Sequence, residues 1–171
     1  MSIQKLNGAY VADQDRVLLR ISTSEQEEIR LWLTRKTCLS FLDKTKEISL
    51  KSIENDAKNP LIAAKMIDEF NQQNLRGQLD FKAPFEPKAK LPLGHEPVLI
   101  KSIEVAPYSS TEGALMVSFV LDHGQILRDL QNRTKVNALR LLFEQLMTQA
   151  NWGDTSQDKA LAINPPKPSI H

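Results

Sequence analysis

The feature that most constrains the fold is an alternation of apolar and polar residues that gives way to a helical period. Residues 16–23 alternate from Val17 onward, and residues 29–34 alternate again after a polar break at residues 24–27. Alternation on both sides of a short polar break is typical of a hairpin with one buried face. From Arg35 onward apolar residues recur at helical spacing, so we predict that the hairpin runs directly into a helix.

The same order of elements occurs a second time. Three further strands are predicted in residues 98–106, 115–121 and 125–131. Asn132 or Thr134 can cap the helix that follows them. Because the first ten residues predict an additional early strand, the order strand–strand–strand–helix is expected in residues 2–50 and again in residues 97–150.

The two passages also align residue by residue in places, for example residues 3–6 with residues 100–103. We expect an internal duplication whose halves form a pseudo-two-fold unit with one core; the alternative is a chance likeness between hairpin-plus-helix units. Asp129 departs from the pattern, because the first copy has Leu31 on its buried face at that position. Either the alignment is off by one residue there, or the last strand of the second copy is a weaker edge strand.

A predicted helix over residues 60–76 follows the first copy. Asn59 and Pro60 form a helix-start signal, with Asn59 as the N-cap and Pro60 at the first helical position. The apolar face of this helix is expected to consist of Leu61, Ala64, Ile67 and Phe70.

The second joining segment, residues 79–97, contains four prolines. Four prolines in that span exclude a helix or a central strand and predict an extended connector, which Phe81 and Phe85 pin to the domain surface. We thus predict an α+β fold of two related βββα units, joined by a helix and a proline-rich connector. The predicted divisions are residues 1–58, 59–97 and 98–153, followed by a flexible tail at residues 154–171.

Charge and composition narrow the setting of the protein. The 171 residues include 22 Lys+Arg and 21 Asp+Glu, a net charge of +1, so the chain lacks the strongly basic balance of many nucleic-acid binders. Cys38 is the only cysteine, which excludes an internal disulfide. Because no segment is long and apolar enough for a signal peptide or a membrane span, we expect a cytoplasmic protein that does not associate with membranes.

One string carries a resemblance to a known family. Residues 28–36 read Glu-Ile-Arg-Leu-Trp-Leu-Thr-Arg-Lys. This string resembles the Leu-Trp-Leu-Thr-Arg-basic motif of a family of small uncharacterised bacterial proteins, in which a strand runs into a helix. Looser likeness extends to Asp80-Phe81, Phe85, Pro92-Leu93-Gly94 and Ala150-Asn151-Trp152, and so covers most of the chain up to residue 152. The resemblance implies a bacterial origin and a recurring fold, and it brings no activity with it.

Catalytic chemistry has little support in the sequence. The histidines, His95, His123 and His171, lie in the connector, in a turn signal and at the last position, without partners in a known catalytic pattern. The six glycines form no phosphate-binding loop. Cys38 lies on the apolar stripe at the start of a helix, which favours a buried core thiol over a reactive one. We therefore predict no enzyme activity, no metal site and no cofactor.

The outer face of the first hairpin is the first candidate for binding. If the apolar residues of the hairpin point into the core, Arg20, Arg30 and Trp32 share the opposite face. Aromatic side chains beside arginines on a sheet surface can stack bases and neutralise phosphates, or anchor a protein partner. The alternative is that the other copy, the connector or a second subunit covers this face, with Trp32 as a packed anchor.

The two strand-to-helix junctions are the second candidate. They contain Arg35, Lys36, Arg133 and Lys135. Backbone N–H groups at a helix start favour an anion, such as a phosphate or the carboxylate of a partner. Arg128, which aligns with Arg30, completes the predicted binding residues. The alternative is that the junction arginines form structural ion pairs, for example with Glu28 or Glu144.

These observations predict a non-enzymatic protein-binding or assembly protein, an adaptor that acts through the sheet face and its Arg/Trp surface. The expected partner is another protein or a second copy of the chain. The alternative is a single-stranded nucleic-acid-binding protein that uses the same residues together with the basic helix N-termini.

Overall fold

The computed structural model describes residues 3–57, 60–79, 84–111 and 113–152, and it shows an α+β fold with one six-stranded mixed sheet and three helices. The predicted tail at residues 154–171 and part of the predicted connector, including Phe81, lie outside the described residues. In chain order the elements are β1 (Ile3–Val11), β2 (Arg16–Thr23), β3 (Glu28–Leu33), α1 (Arg35–Ala57), α2 (Leu61–Gln78), β4 (Val98–Pro107), β5 (Ala114–Leu121), β6 (Ile126–Asn132) and α3 (Arg133–Gln149).

The sheet consists of two antiparallel meanders, β1–β3 and β4–β6, in the order β1-β2-β3-β4-β5-β6. They join through a parallel pairing of β3 with β4, in which Leu31 lies opposite Val98 and Trp32 opposite Leu99. The two meanders run in the same direction, and α1 contacts β4 of the second meander while α3 contacts β1 of the first. Both meanders contribute side chains to a single hydrophobic core, as predicted, and the pseudo-two-fold arrangement stays a prediction.

The two edge strands of the sheet approach each other. The N–H of Ile3 in β1 donates to Oδ2 of Asp129 in β6 over 3.2 Å, and α3 contacts β1 as well as β5 and β6. The sheet therefore curves around α3. Asp129 lies opposite Val117 on the inner face of an edge strand, which is the second of the two alternatives that the sequence left open. Its carboxylate supplies an acceptor for the edge N–H of β1.

The core lies between the inner face of the sheet and the helices α1 and α3. Phe41 of α1 and Phe143 of α3 are fully buried, and their ring centroids are 4.9 Å apart. A Cβ added to Gly8 of β1 would lie 2.5 Å from Cδ1 of Leu146, so α3 approaches this strand as closely as glycine allows. Cys38 is fully buried in the same core, as predicted.

A side chain caps the helix at both strand-to-helix junctions, and at the second the cap is Asn132, one of the two predicted residues. The Asn132 Oδ1 atom accepts from the N–H of Lys135 over 2.9 Å, and Thr34 Oγ1 accepts from the N–H of Thr37 over 3.3 Å. These bonds satisfy N–H groups that a helix start leaves without intrahelical partners. At α2 the N-cap is Pro60 itself, one residue later than predicted, and Asn59 lies outside the described residues.

The helix α2 presents most of its predicted apolar face outward. Of the predicted face only Ala64 is buried, whereas Phe70 is largely exposed. The inward side carries Asp68, which accepts from Ser49 Oγ of α1 over 2.6 Å and from Arg140 Nη1 of α3 over 3.0 Å. The neighbouring helices thus offer polar partners, and these hold the polar side of α2 inward.

Candidate functional site

The predicted Arg/Trp surface lies on the outer face of the sheet, away from the helices. Arg20 of β2 is the direct cross-strand partner of Arg30 in β3, and half-buried Trp32 lies two residues further along the same face. The structure therefore brings these three residues together, as the alternation predicts. Like charges directly opposite each other destabilise a sheet unless a counter-charge is present.

Glu28 supplies that counter-charge. Its Oε1 accepts from Arg20 Nε over 2.8 Å and from Arg30 Nε over 2.7 Å, and its Oε2 accepts from the backbone N–H of Lys88 over 3.0 Å. Burial of the carboxylate raises its pKa, but the three donors outweigh burial, so that the pKa of Glu28 falls to about 2. Glu28 is thus an ionised, fully enclosed acceptor at neutral pH.

Residues 84–97, which we call the proline segment, cover this part of the outer face. The N–H of Glu28 donates to the carbonyl of Lys90 over 2.9 Å, and Arg30 Nη1 donates to the carbonyl of His95 over 3.2 Å. The ring of Phe85 lies 4.2 Å from Cζ of Arg20, in a cation–π contact. The guanidinium groups of the predicted surface are therefore engaged within the chain.

The junction residues lie in different places. Arg35 is half-buried at the start of α1. Hydrogen bonds from the Trp152 indole over 2.9 Å and the Tyr10 hydroxyl over 2.8 Å lower the pKa of Asp15, and the charge of Arg35 adds to this lowering. Lys36, Arg133 and Lys135 are exposed, as is Arg128 on the outer face of β6. The eight predicted binding residues thus do not form one surface.

The acidic residues that the sequence offered to the junction arginines have other partners. Glu28 binds Arg20 and Arg30, and Glu144 accepts from Arg76 Nη2 and Arg140 Nε, each over 3.2 Å. Arg30 and Arg140 are close to these carboxylates in the chain, whereas Arg76 comes from another helix.

Groups suited to catalysis are engaged or enclosed. The ring nitrogens of His123 lie 3.1 Å from Asp122 Oδ1 and 3.2 Å from Gln125 Oε1, and these contacts raise the pKa of the exposed imidazole. Burial raises the pKa of the Cys38 thiol to about 12. A cleft of about 350 Å³ between α1, α2 and the start of α3 has Arg133 as the one charged side chain among its described lining residues.

The outward face of α2 is the surface that the sequence analysis missed. Ile62, Met66 and Phe70 follow one another at a spacing of four residues and are 76%, 67% and 62% exposed. Leu61 and Ile67 extend this patch, which we call the α2 face. The largest apolar patch on a monomeric protein is often functional, and larger ones mark interaction sites.

The inward side of α2 is polar to an unusual degree. Asp68 is 2% exposed and Gln72 is 7% exposed, and Arg140 binds both oxygens of Asp68 over 3.2 and 3.0 Å. The amide of Gln72 has no hydrogen-bond partner among the described residues. This orientation encloses polar groups and leaves the apolar side in water, so the local energetics of α2 by themselves do not favour it.

No protein-family model, curated protein or solved structure matches the chain. Within the described ranges, no group of three or more His, Cys, Asp or Glu residues is arranged to hold a metal ion. None of the helices that the structure describes has the length and apolar character needed to cross a membrane. The sheet, the helices and the α2 face place the protein in the class of α+β folds, with one helix whose apolar face points outward.

Proposed function

We propose that this chain is a non-enzymatic binding or assembly protein that takes up a protein partner on the α2 face. The observation that carries the proposal is the inverted polarity of α2, in which Ile62, Met66 and Phe70 face solvent while Asp68 and Gln72 are enclosed. A partner that covered the α2 face would remove these apolar side chains from water, and that gain would offset the cost of the buried polar side.

The α2 face supports this role better than the Arg/Trp surface does. Arg20 and Arg30 donate into Glu28 and contact the proline segment, so a partner would compete with existing bonds there. For the same reason, the single-stranded nucleic-acid alternative loses two of its expected phosphate contacts. A gel shift with short single-stranded DNA and RNA at low salt tests that alternative, because phosphate contacts are strongest at low salt.

We also propose that the two meanders with their following helices arose by duplication in a bacterial cytoplasmic protein. The β1–β2 register shifts between Ile3 and Lys5, and the β4–β5 register shifts between Ile100 and Ser102. These two irregularities fall at the positions that the sequence alignment matches. β-Bulges are retained features of a strand pair, so a coincidence in position supports common ancestry. An experimental structure in which the two irregularities fail to superpose would contradict it.

Site-specific crosslinking in the producing cell tests the binding role. A photoreactive phenylalanine analogue replaces Phe70, and a control replaces Tyr108, an aromatic residue that directly follows β4 and is 37% exposed. We expect irradiation to give protein adducts from position 70 and few from position 108, and mass spectrometry identifies the partner chain. Equal adducts from both positions, or none from position 70, would contradict the proposal.

A further inference from the structure

We propose that the occupant of the α2 face is a second copy of this chain, bound through an antiparallel α2–α2 contact. This inference rests on the proposed function, because it names the partner of the same helix face. Homo-oligomers with two-fold symmetry use one patch twice, so the patch must be complementary to itself. The α2 face meets this requirement in its shape, in its flanking charges and in its area.

The apolar residues of α2 are arranged about a centre. Ile62, Met66 and Phe70 lie on one stripe, since residues four apart are neighbours on a helix surface. A two-fold axis beside Met66, perpendicular to the helix, places Ile62 opposite Phe70 of the second copy and Met66 opposite its own equivalent. Ridges formed by residues four apart can interdigitate in such a helix pair.

The charges beside the stripe follow the same symmetry. Lys65 and Glu69 are exposed on one flank of the stripe, one turn apart, and neither forms an ion pair with a described residue. The same two-fold axis reverses the direction of the helix but keeps each flank on the same side of the contact. It therefore brings Lys65 opposite Glu69 of the second copy, and Glu69 opposite Lys65 of the second copy. The centre of this charge pair lies within one residue of the centre of the apolar stripe. Two opposite-charge contacts then form on one rim of the interface.

The area of the α2 face suits a weak, specific dimer. The exposed parts of Leu61, Ile62, Met66, Ile67 and Phe70 amount to roughly 500 Å² of apolar surface. Two copies would bury about 1,000 Å², at the small end of specific interfaces, where weak and transient complexes lie. A lipid surface fits less well, because the two cations and two anions of α2 cancel, whereas interfacial helices are rich in Lys and Arg.

Sedimentation velocity of the purified full chain between about 1 and 200 μM tests the proposal. We expect a concentration-dependent dimer for the native protein and at least 100-fold weaker association for the Met66→Glu variant, because the axis sets the two introduced carboxylates against each other. The matched control is Leu130→Glu, at a residue of β6 that is 45% exposed and lies outside the α2 face. Circular dichroism establishes that each variant keeps its fold.

Charge exchange tests the antiparallel orientation. Lys65→Glu alone and Glu69→Lys alone each place like charges opposite one another in a homodimer, so each is expected to weaken association about tenfold. A mixture of the two single variants creates opposite charges at both contacts, and we expect it to form a heterodimer at least as tightly as the native protein dimerises. A mixture no tighter than either variant alone would overturn the antiparallel arrangement.

The outcomes separate this inference from the proposed function. A native protein that is monomeric at every concentration, yet crosslinks from position 70 to another chain, would overturn self-association and leave the binding role standing. A monomer without adducts from position 70 would overturn both. If the protein sedimented together with lipid vesicles, and if Met66 and Phe70 were required for this, the occupant of the α2 face would be a membrane surface. That result would also overturn the dimer.

Discussion

The enclosed carboxylate of Glu28 leads to a quantitative prediction for the Glu28→Gln variant. Glutamine keeps the shape of the side chain but removes the charge that faces Arg20 and Arg30. A lowering of the pKa from its ordinary 4.5 to about 2 corresponds to about 3 kcal/mol of stabilisation at neutral pH. The arginine side chains are 23% and 28% exposed, so we reduce this figure to about 2 kcal/mol for solvent screening.

The stabilisation that Glu28 provides depends on pH, and the direction of this dependence follows from its lowered pKa. The pKa of Glu28 is lower in the folded protein than in the unfolded chain, so its contribution to stability is complete above about pH 5 and is lost as the pH falls toward about 2. Over this pH interval the free energy of unfolding of the native protein should therefore fall by about 2 kcal/mol more than that of the E28Q variant. The other carboxyl groups titrate in both proteins, and their effect cancels in the difference.

Urea unfolding followed by circular dichroism at pH 7, pH 4 and pH 2.5 measures the difference. The control is Glu86→Gln, because the side chain of Glu86 is 87% exposed and its ion pair with Lys88 is 3.9 Å long; we expect a change below about 0.5 kcal/mol. Hydrogen exchange at the Lys88 amide, which donates to Glu28, should accelerate in the E28Q variant. A difference in unfolding free energy that is the same at pH 7 and pH 2.5 would refute the reasoning.

Three further predictions concern the core and the sheet edge. Gly8→Ala should destabilise the fold by about 1–3 kcal/mol in urea unfolding, because the new methyl group meets Leu146, and Leu146→Val in the same chain should recover part of this loss. Asp129→Ala should cost about 1–3 kcal/mol and deprotect the Ile3 amide, whereas Asp129→Asn, which keeps an acceptor, should cost less. The Cys38 thiol should not react with a disulfide reagent at pH 8 in the folded protein, and should react fully in urea; rapid reaction of the folded protein would contradict its burial.

The secondary structure could be predicted because it depends on local periods. The strand over residues 16–23 and the helix that starts at Arg133 follow from alternation, helical spacing and capping residues, which act between near neighbours in the chain. At Asp129 the pattern left a shifted alignment and an edge strand open, and the structure has the edge strand, where a charged residue on an inner face is tolerated.

The orientation of α2 could not be predicted from the same periods. Helical spacing shows which residues share a face, but the partners on neighbouring elements decide which face is enclosed. Asp68 is held by Ser49 and Arg140, which come from two other helices. The role of Glu28 was hidden in the same way, because one of its donors is the backbone of Lys88, far along the chain.

The edge of β3 that pairs with β4 stays open while the ribosome synthesises α1 and α2. Residue 31 meets its partner at residue 98 only after both helices have emerged, whereas each meander pairs strands that are close in sequence. An unpaired strand edge invites addition by a strand of another nascent chain. Lys90 follows both helices in the chain and bonds to Glu28 at one end of this edge, and β4 then pairs with the rest of it. A pause in translation between β3 and β4 would therefore lengthen the period in which newly made chains can aggregate through the open edge.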